Sequence, residues 1–124
     1  MKIVDANIIL RYLLNDSDDL SDRAAEILEN NMVFVPNEVV AEIVYVLEKV
    51  YKVEKGKISI ALLELFEYGN LQVGDFGIVN EALRVYAERK LDFADTLLYA
   101  YYKIGKHDVY TFDKKLNNLL SEIR

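Results

Sequence analysis

The sequence predicts one α/β domain in which a parallel sheet alternates with helices. Short apolar runs, such as residues 33–35, have the length of strands, and the segments between them repeat apolar residues every three or four positions, as helices do. Strands that alternate with helices pair in parallel through right-handed crossovers. A chain of 124 residues, 52% of them hydrophobic, can bury a core, so we expect a single domain over residues 1–124.

Four apolar runs are predicted to form the strands of this sheet. The first follows the initial residues, is expected to be buried, and turns helical at once. The second ends at Pro36, the sole proline, which has no N–H to donate to a strand ladder. The predicted strands cover residues 3–4, 33–35, 71–73 and 109–111.

Turn-forming and capping residues divide the rest of the chain into helices. A polar break at residues 15–19 separates the first two, and Gly69 with Asn70 ends the fourth. Ser21 and Asn37 have side chains that commonly cap helices, so we expect them to begin the second and third. The predicted helices cover about residues 6–14, 21–30, 38–51, 55–68, 75–90, 91–105 and the tail from residue 113.

The composition excludes several kinds of site. Without cysteine the chain has no disulfides, thiolate zinc sites or cysteine nucleophiles, and the one histidine, His107, is expected to be a solvated loop residue. The first residues do not have the pattern of a signal peptide, and no apolar run reaches about 20 residues, so we expect a cytoplasmic protein without a membrane span. A net charge of −6 disfavours loose binding to a nucleic-acid backbone. A polyanionic substrate would have to be bound by positive charge at the site itself.

Two acidic residues follow predicted strands directly. Asp5 comes after the first strand and Asp113 after the fourth, which places both at the carboxyl edge of the sheet, where open α/β sheets bind their ligands. Each also precedes a helix, so an N-cap role is an equal alternative. Thr111, at the end of the fourth predicted strand, can donate its hydroxyl to a neighbouring carboxylate or water.

Two acidic residues within predicted helices, Glu42 and Asp95, do not look like surface residues. Glu42 interrupts a run of aliphatic residues, where a lone carboxylate is unfavourable unless it is paired, protonated or bound to a metal; the alternative is a position at the edge of the apolar face. Asp95 precedes Leu97 and Leu98 and occupies a turn that would ordinarily be apolar. Asp92, three residues earlier, suits an N-cap.

Four segments, in this order along nearly the whole chain, together resemble a known family. They are IVDANIILRYLL at residues 3–14, VPNEVVAEIVYVL at 35–47, LDFADTLLYA at 91–100 and YTFDKKL at 110–116. The combination is similar to PIN-domain proteins of the VapC toxin type.

The resemblance implies a three-layer α/β/α sandwich with a short central parallel sheet of four or five strands, and a Mg²⁺- or Mn²⁺-dependent ribonuclease. It also implies a homodimer, an RNA substrate and a separately encoded antitoxin. The family's acidic quartet, which holds the metal and carries the catalysis, falls on Asp5, Glu42, Asp95 and Asp113. Asn7, Asp92 and Thr111 match supporting polar positions around that quartet.

The residue types agree with such chemistry. Hard divalent cations prefer oxygen ligands, so carboxylates without histidine or cysteine suit Mg²⁺ or Mn²⁺ better than zinc. A bound ion makes a water acidic enough to attack a phosphodiester, which would leave a 5′-phosphate and a 3′-hydroxyl. Arg11, Lys114 and Lys115 are candidates for phosphate contacts, although a solvated surface charge is the better explanation for any one of them alone.

Two other functions are compatible with acids at the edge of a parallel sheet. A receiver-like signalling module also gathers aspartates around Mg²⁺, but Asp5 has no adjacent acid, and Glu42 and Asp95 lie inside predicted helices. A PIN-like interaction protein without activity is the second alternative, and the presence of all four acids argues against it.

Overall fold

The computed structural model describes residues 1–16 and 18–123. In this part of the chain, short strands alternate with helices, as predicted, and Ser17 of the predicted polar break lies outside the described residues. The elements are β1 (Lys2–Ile3), α1 (Ala6–Leu14), α2 (Asp19–Asn30), β2 (Val33–Val35), α3 (Asn37–Lys49), α4 (Lys55–Leu65), β3 (Leu71–Val73), α5 (Phe76–Glu88), α6 (Phe93–Lys103) and α7 (Lys114–Ser121).

The three strands form one parallel sheet in the order β1-β2-β3, with β2 in the centre. Lys2 lies opposite Val33, and Val33 lies opposite Leu71. Because all strands run in the same direction, their carboxyl ends meet at one edge, and the residues that follow each strand are brought to that edge. The predicted α/β class with a parallel sheet between helices is confirmed.

The main core packs the helices against the central strand. Val33 and Val35 of β2 are completely buried, and Ile9 of α1, Ile43 of α3 and Val79 of α5 are completely buried with them. Burial of each such side chain contributes roughly 1.5–3 kcal/mol. This packing fixes the ends of the strands, and Asp5 follows the end of β1.

A smaller apolar cluster attaches α7 to α5 and α6. Outside it, Arg89 donates two hydrogen bonds to the Glu122 carboxylate, at 3.0 and 2.8 Å, and so joins the ends of α5 and α7. The buried members of the cluster are Val85, Leu91, Tyr99, Leu116, Leu119 and Leu120, with Val109 packed against them.

Residues 109–111, predicted as a fourth strand, are not part of the described sheet. The Asn117 side-chain amide donates to the Thr111 carbonyl at 2.8 Å, and the Thr111 hydroxyl oxygen accepts from the Asp113 N–H at 3.0 Å. Local bonds of this kind occupy backbone groups that a strand ladder would use. The described residues therefore contain three strands rather than the four or five predicted.

The first strand also differs from its prediction by one residue. It covers Lys2–Ile3 rather than residues 3–4, and it is an edge strand. Ile3 is 68% exposed, whereas Val4 is buried, because successive side chains of an extended chain point to opposite sides. The expectation of a buried first strand is wrong for Ile3.

Two predicted helix caps are wrong. The carboxylate of Asp18, not Ser21, caps α2 by accepting from the Ser21 N–H at 2.8 Å, so α2 begins two residues earlier than predicted. Pro36 occupies the N-cap position of α3, and Asn37 is the first residue of that helix.

No helix in residues 1–16 and 18–123 combines the length and apolar character that crossing a membrane requires.

Candidate active site

The carboxyl edge of the sheet carries acidic residues that begin helices. Asp5, after β1, is exposed and accepts a hydrogen bond from the Ile8 N–H through Oδ1 at 3.2 Å. Asp75, after β3, caps α5 in the same way through the Ile78 N–H. The alternative cap role of Asp5 is thus confirmed, and because the bond uses one oxygen, the second oxygen of the carboxylate is not required for capping.

Glu42 lies on the exposed flank of α3, between two clefts. One cleft, of about 300 Å³, lies between α1 and α3 and is lined by Asn7, Arg11 and Glu42 among others. The other, of about 370 Å³, has Glu42 and Asp92 in its lining. Glu42 can therefore reach partners from α1 on one side and from the start of α6 on the other.

The expectation that Glu42 is buried among aliphatic side chains is wrong, because its side chain is exposed. The buried stripe of α3 is formed by Val40, Ile43, Val44 and Leu47. Glu42 falls at the edge of that stripe, which was the alternative interpretation of the sequence. An exposed carboxylate retains its hydration and needs no buried partner.

Asp95 is half-buried in the first turn of α6. Its pKa lies above the ordinary aspartate value because burial disfavours the charged form, and because the negative charges of Asp113 and Asp92 add to that effect. Asp92 occupies the N-cap position of α6, but its side chain makes no capping hydrogen bond. The side-chain N-cap role expected for Asp92 is therefore not observed.

Asp113 is exposed and caps α7, since its Oδ1 accepts from the Leu116 N–H at 2.8 Å. The N–H of Asp113 donates to the hydroxyl oxygen of Thr111, so Thr111 orients the backbone that carries the carboxylate. Asp113, although far from Asp95 in the sequence, thus lies within electrostatic range of it, as Asp92 does.

The described structure does not gather the four predicted acids into one cage. In residues 1–16 and 18–123, no three aspartate, glutamate or histidine side chains lie together as a metal would require. Mg²⁺, however, keeps several waters and binds one or two protein carboxylates directly. Asp95 and Asp113 fit that requirement, because both offer carboxylate oxygens and they lie within electrostatic range of each other. The metal role of the full quartet remains a prediction.

The cationic residues predicted to contact phosphate differ in their surroundings. The Arg11 guanidinium pairs with Asp16 at 3.1 Å and with Asp18 at 3.0 Å, while it also lines the cleft that contains Glu42. Lys114 and Lys115 are exposed at the start of α7, next to Asp113. His107 is exposed as expected, with its ring against the edge of Tyr101.

Sequence reasoning missed a polar bridge that holds the carboxyl edge together. Asn37 donates to the Tyr101 hydroxyl at 2.9 Å, and its side-chain oxygen accepts from the Asp75 N–H at 3.2 Å. The bridge joins the ends of β2 and β3 to α6, the helix of Asp95. Asn37 and Tyr101 are 64 residues apart, and neither periodicity nor local spacing signals such a pair.

Comparison with known proteins agrees with this architecture. A family model described as the PIN domain matches residues 2–119. The chain is 30% identical to the VapC ribonuclease of Aquifex aeolicus (strain VF5) over 129 residues, which span 96% of this chain and 92% of that protein. No solved structure matches the chain significantly. The match extends over nearly the whole chain and supports the predicted family rather than a receiver-like module. The chain therefore belongs to the PIN-domain family.

Proposed function

We propose that the protein is a metal-dependent endoribonuclease and the toxin of a toxin–antitoxin pair. The observation that carries this proposal is the PIN-domain match over residues 2–119, and the half-buried Asp95, within electrostatic range of Asp113 and Asp92, agrees with it. A divalent cation bound there would offset the repulsion between these carboxylates. The family, and the similarity to a protein named as a VapC ribonuclease, support the same function.

The residues that would hold the ion are Asp5, Glu42, Asp95 and Asp113. They offer only oxygen donors, which suits Mg²⁺ or Mn²⁺. The ion, when bound, supplies an acidified water and offsets negative charge on the phosphate. The caps of α1 and α7 orient Asp5 and Asp113, and the burial of Asp95 limits access of bulk water to its carboxylate.

The remaining polar residues would position the substrate. Asn7 shares a cleft with Glu42, so its amide can hydrogen-bond to a carboxylate or to a substrate oxygen there. Arg11 lines the same cleft, and Lys114 and Lys115 stand beside Asp113, which makes them candidates for phosphate contacts on two sides of the site. The partners we propose are single-stranded or structured RNA, a second copy of the chain and a separately encoded antitoxin.

Cleavage of labelled single-stranded RNA in Mg²⁺, in Mn²⁺ and in EDTA tests the proposal. The wild type should cleave only with metal and leave 5′-phosphate and 3′-hydroxyl ends. Asp5→Asn, Glu42→Gln and Asp95→Asn should each lower the rate at least about 100-fold, since they remove charge where the ion would bind.

Asp75→Asn is the matched control, because Asp75 is also an N-cap at the carboxyl edge but does not belong to the quartet. It should keep the wild-type rate. If no RNA is cleaved with any metal, the inactive interaction protein is the better interpretation. Equal losses for Asp75→Asn and Asp5→Asn would show that the effect is structural.

A further inference from the structure

Two aromatic rings stand fully exposed immediately before Asp113. Tyr110 is 93% exposed and Phe112 is 107% exposed, which are the largest exposures of any large hydrophobic residue in the described ranges. Aromatic rings bury large areas in folded proteins, and contiguous exposed apolar surface commonly marks a binding site. Among the described residues, neither ring belongs to a core cluster that would explain its position.

The segment that carries these rings is held firmly. Val109 packs against the smaller apolar cluster, and Thr111 is half-buried and hydrogen-bonded to Asn117 and Asp113. Burial alternates along residues 109–112, since Val109 and Thr111 are half-buried whereas Tyr110 and Phe112 are exposed. Tyr110 and Phe112 therefore share the outward face, and their exposure follows from the anchoring of their neighbours.

The charge around the rings differs from that of the whole chain. Residues 103–115 contain four lysines and two aspartates, a net charge of +2, whereas the chain carries −6. Lys103 is engaged by Glu81, but Lys106, Lys114 and Lys115 are exposed and flank the two rings in the sequence. Aromatic rings flanked by lysines suit a polyanion with flat, stackable groups better than they suit a second copy of an acidic chain.

We propose that Tyr110 and Phe112 form a stacking platform for bases of single-stranded RNA. The platform leads the strand to Asp113, while Lys106, Lys114 and Lys115 contact its phosphates. Stacking tolerates any base, because every base has a flat face, so the platform provides affinity and direction rather than sequence selection. This inference rests on the proposed function, since it assigns part of the RNA path to the site around Asp95 and Asp113.

Binding of a fluorescent single-stranded RNA of mixed sequence, measured by anisotropy, tests the platform. The Asp5→Asn background in EDTA prevents cleavage. Tyr110→Ala and Phe112→Ala should each weaken binding about fivefold or more, the range for loss of one stacked base. Lys106→Gln should reduce the slope of log K against log salt by about 0.7, as for one phosphate contact on a single strand.

Tyr68→Ala is the matched control. Tyr68 is 48% exposed and precedes β3, at the opposite edge of the sheet, so its loss should leave RNA affinity unchanged. The free energy of unfolding should also stay constant in the ring variants, because the two rings are not buried. Unchanged affinity in both ring variants would overturn the proposal.

Two further results separate this inference from its alternatives. If sedimentation shows that Tyr110→Ala or Phe112→Ala turns a dimer into monomers while RNA affinity is kept, the face is a subunit interface and the platform is wrong. If the wild type cleaves no RNA but the ring variants still weaken binding, the platform stands and the nuclease proposal falls. If the wild type cleaves RNA and both ring variants bind RNA with unchanged affinity, the platform is rejected and the nuclease proposal is kept.

Discussion

Asp95 and Asp113, on different helices, lie close enough for the charge of Asp113 to affect the titration of Asp95. Burial is the larger cause of the raised pKa of Asp95, and the negative charge of Asp113 is the next. Asp113→Asn removes that charge, so the pKa of Asp95 should fall toward its ordinary value. Carbon-detected NMR titration of the metal-free protein measures the change.

Asp95→Asn should stabilise the metal-free fold at neutral pH. A carboxyl group whose pKa is raised by folding stabilises the fold at low pH, relative to high pH, and that stability is lost as the pH rises through the folded pKa. The gain in free energy of unfolding from Asp95→Asn should therefore be complete above the folded pKa of Asp95. It should vanish below the ordinary pKa of aspartate. Urea unfolding across this pH range provides the measurement, and a loss of stability at neutral pH would identify Asp95 as structural.

Asp5→Asn should separate capping from catalysis. Asparagine caps a helix about as well as aspartate does, so α1 should keep its stability while metal-dependent cleavage is lost. Asp5→Ala removes the cap as well and should lower the free energy of unfolding by about 1 kcal/mol. Denaturant unfolding of the two variants side by side gives the comparison, and equal destabilisation by both would contradict it.

Glu81→Gln should destabilise the protein by about 1–2 kcal/mol near neutral pH. Glu81 is buried, with 9% exposure, and its carboxylate accepts from Arg84 and from Lys103, which links α5 to α6. Burial raises the pKa of Glu81, but the bonds from Arg84 and Lys103 outweigh it, and the net pKa is lowered.

The pH dependence of this effect has a definite sign. Because the folded pKa of Glu81 is lowered, its contribution is complete above the ordinary value of about 4.5 and is lost as the pH falls through the folded pKa. The difference in free energy of unfolding between the wild type and Glu81→Gln should therefore decrease as the pH falls through this acidic range. Glu88→Gln is the control, since its exposed pair with Arg84 at 3.6 Å should contribute less than about 1 kcal/mol.

Gly74→Ala and Gly56→Ala should have opposite signs. A Cβ at Gly74 would lie 2.7 Å from Oδ1 of Asn37, whose side chain is held by Tyr101 and Asp75, so alanine should lower stability by about 1–3 kcal/mol. A Cβ at Gly56, within α4, meets nothing within 4 Å, and alanine should raise stability by up to about 1 kcal/mol. Thermal melts of both variants test the pair, and a stable Gly74→Ala would show that Asn37 can move.

Elements with a clear period and clear stop signals could be predicted from the sequence. The bounds of α1, β2 and β3 agree with their predictions, because apolar spacing and turn residues mark both ends. The absence of the predicted fourth strand from the described sheet was not predictable in this way, since side-chain bonds from Asn117 and Thr111 compete with pairing. Local apolar character does not reveal such competition.

The candidate site was less predictable than the fold. The proximity of Asp95 and Asp113 was implied only by the family resemblance, because α6 does not follow a strand and the strand predicted before Asp113 is absent from the described sheet. The exposure of Glu42 depends on how wide a stripe of α3 the neighbouring helices cover, and the Asn37 bridge depends on a tertiary contact. Whether all four acids meet on one ion stays a prediction.

The helix that carries Asp113 is attached through its own small apolar cluster, outside the main core. Groups of residues with separate cores can open separately, at a lower free energy than the whole protein. Heating should thus detach α7, and Asp113 with it, before the sheet melts. Amide hydrogens of α7 would exchange earlier than those of α3, and RNA cleavage would cease at a lower temperature than the loss of overall helicity.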